Sequence, residues 1–333
     1  MKINVAVAQA ARRAVVLAGF LVAIGGCARA QNLDQIHVAP VSSAGLAMAS
    51  SEPLRTHSRP MSVDVDLVLV PATVTDGLNR PITTLRKQDF RVFDGDTQQE
   101  LRYFNQEDAP LSIGILLDTS GSMKSKYELA RRALAEFFRN SNPNDDYFVV
   151  TYSTKPRLLS NTTQSAEEIE NELTAVVPDG STPLLDAIYL GLTKLKHARY
   201  ERRALLIISD GGDNNSRYRA KEIRSMVQES DVQIYAMGIF SPITIAVEDR
   251  QGKKLLSDIA GATGGRAAFF SSPAKLPEVA AKFSRELRSE YVLGYRPQNL
   301  QYDGKLHKIT VKLSDDVARS VEVYYKRQYM ASR

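Results

Sequence analysis

The middle of the chain alternates between short apolar runs and segments whose apolar residues recur at helical spacing. Residues 111–117 form a continuous apolar run, which is typical of a strand buried on both faces. Residues 127–138 carry apolar side chains every three or four positions and predict an amphipathic helix. Later strands are predicted at 147–152, 157–159 (an antiparallel edge), 204–208, 232–239 and 267–270, and helices around 169–176, 185–195, 223–227, 255–260 and 279–287. This alternation predicts a doubly wound α/β domain with a mostly parallel sheet.

Both flanks of this region return to a period of two. Side chains over residues 63–70 follow a period of two, which predicts a strand. Further strands are predicted at 90–93 and 100–104, joined by a turn at Asp94-Gly95-Asp96. After residue 290, strands are predicted at 291–295, 306–313 and 321–325. Each flank is too small for a core of its own, so we expect one smaller β-sandwich-like domain assembled from both. The alternative is that each flank extends the central sheet independently.

The first sixty residues differ from the rest. Lys2, Arg12 and Arg13 precede an apolar run at 14–26, which is too short to span a bilayer. This pattern predicts an export signal at residues 1–30. The richness of residues 31–60 in Ala, Ser and Pro predicts a flexible tether there. We expect the β-rich segments at 61–108 and 290–333, the α/β domain at 109–289, and a periplasmic, cell-envelope or secreted location.

The only cysteine, Cys27, lies inside this predicted signal. Ala28-Arg29-Ala30 offers a cleavage site before Gln31, whereas Ile24-Gly25-Gly26-Cys27 is similar to a bacterial lipobox. The first alternative leaves a mature protein without cysteine, and hence without disulfides. The second makes Cys27 a lipid anchor, which is the one membrane attachment that we expect.

The charge is unevenly distributed. The chain has a formal charge of +5, and residues 1–30 hold four basic residues and no acidic one. The remainder carries 39 basic and 38 acidic residues, a balance that gives no support to nucleic-acid binding.

Two predicted parallel strands end in an aspartate. Asp118 follows the run at 111–117, and Asp210 comes soon after the run at 204–208. In a doubly wound sheet of order 3-2-1-4-5-6, ligands bind between the first and fourth strands, beyond their carboxyl ends. Thr182 opens a predicted helix whose preceding loop can approach the same crevice. The oxygen-bearing residues expected to converge there are Asp118, Ser120, Ser122, Thr182 and Asp210.

These donors are all oxygens, which favours a hard cation, Mg²⁺ with Mn²⁺ as the alternative. His37, His57, His197 and His307 are scattered along the chain, whereas zinc prefers nitrogen or sulfur ligands. Two carboxylates and three hydroxyls leave the ion with waters that an acidic group on a protein partner can displace. Asp186 is expected either to complement its helix N-terminus or to hydrogen-bond within the site.

The segments "DTSGSM", "GSTPLLDAI" and "ISDG", with these spacings, resemble the von Willebrand factor type A domain and its metal-ion-dependent adhesion site. The resemblance covers about residues 109–290. It implies a Rossmann-like fold, a bound divalent metal and a partner whose acidic side chain completes the coordination. The flanking "LRKQDFRVFDGDTQQELRYF", "EYVLGYRP" and "VEVYYKRQYMA" resemble the bacterial, acidobacterial-type VWFA-related family of exported proteins.

The leading functional hypothesis is a non-enzymatic, metal-dependent adhesion or assembly module. One alternative is an envelope scaffold in which the metal only holds loops together. Another is a metal-dependent hydrolase, but the sequence has no phosphate-binding glycine-lysine loop and no histidine or lysine placed for acid–base work.

Overall fold

A computed structural model describes residues 67–106, 108–210, 212–240, 247–298, 304–318 and 321–331. The predicted export signal, the tether and Cys27 lie outside these described residues. Within them, no helix is long and apolar enough to cross a bilayer.

Short strands and amphipathic helices make up the described chain. The strands are β1 Val68–Asp76, β2 Phe90–Asp94, β3 Thr97–Gln99, β4 Leu101–Asn105, β5 Ser112–Asp118, β6 Asp146–Tyr152, β7 Pro156–Thr163, β8 Arg203–Ser209, β9 Val232–Ile239, β10 Ala267–Phe270, β11 Tyr291–Tyr295, β12 Leu306–Leu313, β13 Val321–Tyr325 and β14 Gln328–Met330. The helices are α1 Tyr127–Asn140, α2 Ala166–Thr174, α3 Leu184–Leu195, α4 Ala220–Glu229, α5 Val247–Ala262 and α6 Leu276–Arg288.

The central sheet has the order β10-β9-β8-β5-β6-β7. All its neighbours are parallel except β7, which is antiparallel to β6. The first and fourth strands of the domain, β5 and β8, are therefore direct neighbours, as predicted. Their register places Leu117 opposite Ile208, so their carboxyl ends lie side by side.

The sheet is covered on both faces, which explains the continuous apolar run in β5. Ile113, Ile115 and Leu117 pack in one buried cluster with α1, α2 and α6. Leu116, pointing the other way, packs in a second cluster with α3, α4 and α5. The predicted doubly wound α/β architecture is confirmed.

The flanks build two four-stranded sheets, β13-β1-β11-β4 and β14-β12-β2-β3. Each sheet contains strands from before and after the α/β domain, and their apolar faces share a third core that includes Val70, Val92, Leu293 and Val311. This confirms that the two ends of the chain assemble together, and the alternative of independent extensions of the central sheet is wrong.

The predicted strand at 100–104 is present as β4, but the prediction that it forms a hairpin with the strand at 90–93 is wrong. Gly95, with φ +57°, turns the chain from β2 into β3, and the pairing ends at Val92 opposite Gln99. The chain then crosses to the other sheet, where β4 pairs with β11. The strand β14, which pairs with the start of β12, was not predicted separately from β13 because it is three residues long and has no period of its own.

Candidate metal centre

Asp118 lies at the carboxyl end of β5, between the neighbouring strands β6 and β8, and its side chain is completely buried. Its two carboxylate oxygens have different partners. The Ser120 backbone N–H donates to Oδ1 at 2.9 Å, and the Ser209 hydroxyl donates to Oδ2 at 2.8 Å. The orientation of the carboxylate is therefore fixed by the turn after β5 and by the adjacent strand.

Ser120 and Ser122 lie on the turn that follows β5. A short 3₁₀ turn at Gly121–Met123 brings their Oγ atoms to 3.1 Å from each other. Ser120 is buried, whereas Ser122 is exposed. The pair therefore reaches from the buried carboxylate to the surface of the crevice.

Thr182 lies just before α3, in a loop that is held against both of the other loops. Its backbone N–H donates to Asn214 Oδ1 at 2.8 Å, and its carbonyl oxygen accepts from the Asn214 N–H at 3.1 Å. On the other side, Gly121 N–H donates to the Gly180 carbonyl at 3.1 Å, and Asp179 N–H donates to the Thr119 carbonyl at 2.8 Å. These bonds place buried Thr182 between the turn after β5 and the loop after β8.

Asp210 directly follows β8, and its side chain is 8% exposed. The Lys126 ammonium group lies 2.8 Å from Asp210 Oδ2. The pKa of Asp118 is raised to about 6, first by burial and then by the negative charge of Asp210. Burial therefore disfavours the charged form of Asp118, the neighbouring charge of Asp210 adds to this, and Lys126 supplies a positive charge beside Asp210.

Three residues that the sequence argument did not select contact the candidate ligands: Lys126, Ser209 and Asn214. Ser209 could have been found, because the register of two parallel strands puts the residue after Ile208 beside Asp118. The Lys126 and Asn214 contacts depend on loop conformations that no periodic pattern encodes.

Asp186 lies in the first turn of α3, as expected for a residue that complements the helix N-terminus, and it also contacts the loop after β8. Its carboxylate accepts from the backbone N–H groups of Arg217 and Tyr218, at 2.9 and 3.1 Å, and so holds the loop after β8. The first turn of α3 is capped from that same loop, because Ser216 Oγ accepts from the N–H groups of Leu185 and Asp186, at 3.0 and 3.2 Å. The start of α3, which directly follows the loop of Thr182, and the loop that carries Asp210 therefore hold each other in place.

The chemistry of the donors suits a hard divalent cation. Two carboxylates and three hydroxyls are oxygen ligands of the kind that Mg²⁺ and Mn²⁺ accept. Within the described part of the chain, no group of three or more His, Cys, Asp or Glu side chains is arranged so that it could hold a metal ion. The candidate centre therefore depends on hydroxyl oxygens as well as on its two carboxylates.

Comparison with known proteins gives a family match for the part of the chain that holds all five of these residues. Residues 113–212 match the family model of the von Willebrand factor type A domain. The chain is 25% identical over 157 residues to the inter-alpha-trypsin inhibitor heavy chain H4 of Bos taurus, covering 40% of this chain. It is also 25% identical over 182 residues to an uncharacterised protein of Borreliella burgdorferi, covering 47% of this chain.

The chain spans 17% and 53% of the lengths of these two curated relatives. Among solved structures, the conserved hypothetical protein BatB of Bacteroides thetaiotaomicron is similar, with a TM-score of 0.44 and 18% identity. That alignment covers 54% of this chain and all of the BatB chain.

Proposed function

We propose that this chain, which carries a von Willebrand factor type A domain, is an exported protein-binding module. We further propose that its partner contributes an acidic side chain to a bound divalent cation, Mg²⁺ or Mn²⁺. The observation that supports this proposal is that Asp118 ends β5, Asp210 directly follows β8, and the register of these parallel neighbours aligns their carboxyl ends.

Each proposed ligand has a distinct part. Asp118 and Asp210 supply the negative charge, and Ser120, Ser122 and Thr182 supply neutral oxygens. When bound, the cation offers positive charge and exchangeable water positions to an incoming carboxylate. Ser122 is the exposed member of the set, so the open side of the crevice faces solvent, where a protein partner can reach it.

The scaffold alternative is disfavoured by the hydrogen bonds between the loops. The loop of Thr182 is already bonded to the turn after β5 through Gly180 and to the loop after β8 through Asn214. A metal is therefore not needed to hold these loops together, and its role is better explained by recognition. We assign the crevice no catalytic activity.

The test compares capture of envelope proteins by the full chain in Mg²⁺ and in EDTA. The wild type, Thr182→Ala and a control, Ser160→Ala, are immobilised at equal density. We expect one captured species that is lost in EDTA and lost with Thr182→Ala, but retained by Ser160→Ala. Ser160 is a buried serine of the edge strand β7, and its hydroxyl donates to the neighbouring Asn161 carbonyl. Capture that survives both EDTA and Thr182→Ala would contradict the proposal and favour the scaffold.

Export is tested separately by measuring the mass of the mature N-terminus. The proposal predicts a chain that begins at Gln31 or at an acylated Cys27. A mature chain that still contains residues 1–26 would contradict export.

A further inference from the structure

We propose that Lys126 is a tethered cation that neutralises Asp210 when the divalent ion is absent and is displaced when the ion binds. The lysine would then set how tightly this centre takes up metal. This inference rests on the proposed function, because it assumes that Asp118 and Asp210 are metal ligands.

The contact is specific and partly shielded from water. Lys126 Nζ lies 2.8 Å from Asp210 Oδ2, and the two side chains are 23% and 8% exposed. The residues are 84 positions apart, so the pair is created by the fold and not by helical spacing. Removal of one partner from a shielded ion pair costs more than removal from an exposed pair, because the remaining charge stays shielded from water without its counter-ion.

The ammonium group and the metal would compete for the same charge. Asp118, Asp210 and Lys126 together carry one net negative charge when all are ionised. Removal of the lysine charge leaves two net negative charges on Asp118 and Asp210, and a divalent ion neutralises both. A divalent ion held by Asp210 would share that carboxylate with the Lys126 ammonium group, and two cations beside one carboxylate repel each other.

The exchange requires movement of one side chain only. The Lys126 backbone is fixed at the start of α1: its N–H donates to the Met123 carbonyl at 2.8 Å, and its carbonyl accepts from the N–H groups of Leu129 and Ala130. The side chain is long and partly exposed, so the ammonium group can leave Asp210 for solvent without disturbing the helix. Lys124, two residues earlier in the same turn, is exposed and offers a matched control.

The first experiment measures Mn²⁺ affinity by calorimetry for the full chain, Lys126→Met and Lys124→Met. Methionine retains a long apolar stem and removes only the charged group. We expect Lys126→Met to bind Mn²⁺ about 10-fold more tightly, and Lys124→Met to stay within about 2-fold of the wild type. Without metal, we expect the melting temperature of Lys126→Met to be several degrees below that of the wild type, because the two carboxylates lose their counter-ion. We expect Mn²⁺ to restore this melting temperature.

The second experiment follows the lysine itself by amine acetylation and peptide mass spectrometry. Addition of Mg²⁺ should raise the labelling rate of Lys126 several-fold, because its amine leaves the ion pair, while Lys124 keeps its rate.

Unchanged affinity in Lys126→Met, or unchanged labelling of Lys126 when metal is bound, would overturn the inference and leave the proposed function standing. If neither the wild type nor Lys126→Met binds metal, the proposed function fails as well. Binding by Lys126→Met alone would also contradict the inference, because the ion would then not displace the lysine in the wild type.

Discussion

The Ser209 hydroxyl donates a 2.8 Å hydrogen bond to Asp118 Oδ2 across the boundary between β5 and β8. The two residues are 91 positions apart and meet because the register of the parallel strands aligns their carboxyl ends. This contact holds one oxygen of the carboxylate, while the Ser120 N–H holds the other. Asp118 is therefore oriented by the sheet itself before any ligand arrives.

Replacing Ser209 by alanine should loosen the proposed metal ligand. We expect Mg²⁺ affinity to fall about 10-fold, as is typical when a group that orients a metal ligand is removed. The free energy of unfolding should fall by about 1–2 kcal/mol because a buried hydrogen bond is lost. Calorimetry and denaturant unfolding measure the two effects. Ser160→Ala, the matched buried serine on β7, should change stability without changing affinity, and equal affinities for Ser209→Ala and the wild type would refute the positioning role.

A second prediction concerns Gly180, in the loop that carries Thr182. Gly180 has φ +85°, and an added Cβ would lie 2.6 Å from Thr154 Oγ1 and 3.2 Å from the Thr154 nitrogen. Gly180→Ala should therefore lower the free energy of unfolding by about 1–3 kcal/mol and weaken Mg²⁺ binding, because the loop must shift. The control is Gly212→Ala, where nothing lies within 4 Å of the new Cβ. Thermal melts and calorimetry that find the two variants alike would show that this loop does not position Thr182.

The sequence was sufficient for the strand order and for placing Asp118 and Asp210 at the carboxyl ends of two neighbouring strands. Residues 111–117 are apolar without interruption because β5 is central and covered on both faces, so the abrupt change at Asp118 stands out. The antiparallel edge strand β7 could also be anticipated from a short apolar segment after a turn. These features follow from periodicity and burial, which act locally along the chain.

The remaining contacts depend on loop geometry and on side chains distant in sequence. Lys126 reaches Asp210 across 84 positions, and nothing in its local pattern distinguishes it from exposed Lys124. Similarly, the split between β3 and β4 is decided by which sheet buries Leu101, and this depends on β11 near the other end of the chain. No short-range pattern carries that information.

A third prediction tests the ion pair that joins the two ends of the α/β domain. Arg202 lies 3.0 Å from Glu290, which is 2% exposed, and also donates to the carbonyls of Ala109 and Leu287. Arg202→Met should cost about 3–5 kcal/mol of unfolding free energy, because Glu290 stays buried without its cation. Denaturant unfolding at pH 7.5 measures this cost.

The control for Arg202 is Arg139→Met. Arg139 pairs with Glu136 on the exposed face of α1, and its loss should change stability by less than about 0.5 kcal/mol. A cost for Arg202→Met as small as that of the control would contradict a buried, stabilising pair.

A fourth prediction concerns pH. Burial raises the pKa of Glu286 to about 7, and this outweighs the attraction of the neighbouring Arg266 guanidinium. Because the native carboxyl keeps its proton to higher pH than the unfolded one, near 4.5, the unfolding free energy should fall as pH rises from about 4.5 to 7. Above pH 7 this group adds no further change. Its contribution is at most about 3 kcal/mol.

Glu286→Gln isolates this effect, since glutamine does not titrate. Asp118 and Asp145 also have pKa values raised to about 6, mainly by burial. They make the same contribution to the pH dependence of the unfolding free energy in the wild type and in Glu286→Gln. Denaturant unfolding from pH 4.5 to 7.5 should therefore give a steeper decline for the wild type than for the variant. Parallel curves would show that Glu286 keeps an ordinary pKa.

The most direct test of the central claim is a calorimetric titration of Mg²⁺, then Mn²⁺, into the purified full chain and into Asp118→Ala. The account predicts uptake of one ion per chain by the wild type and no uptake by Asp118→Ala, with both proteins folded by circular dichroism. Absence of binding by the wild type, or equal binding by both proteins, would contradict it.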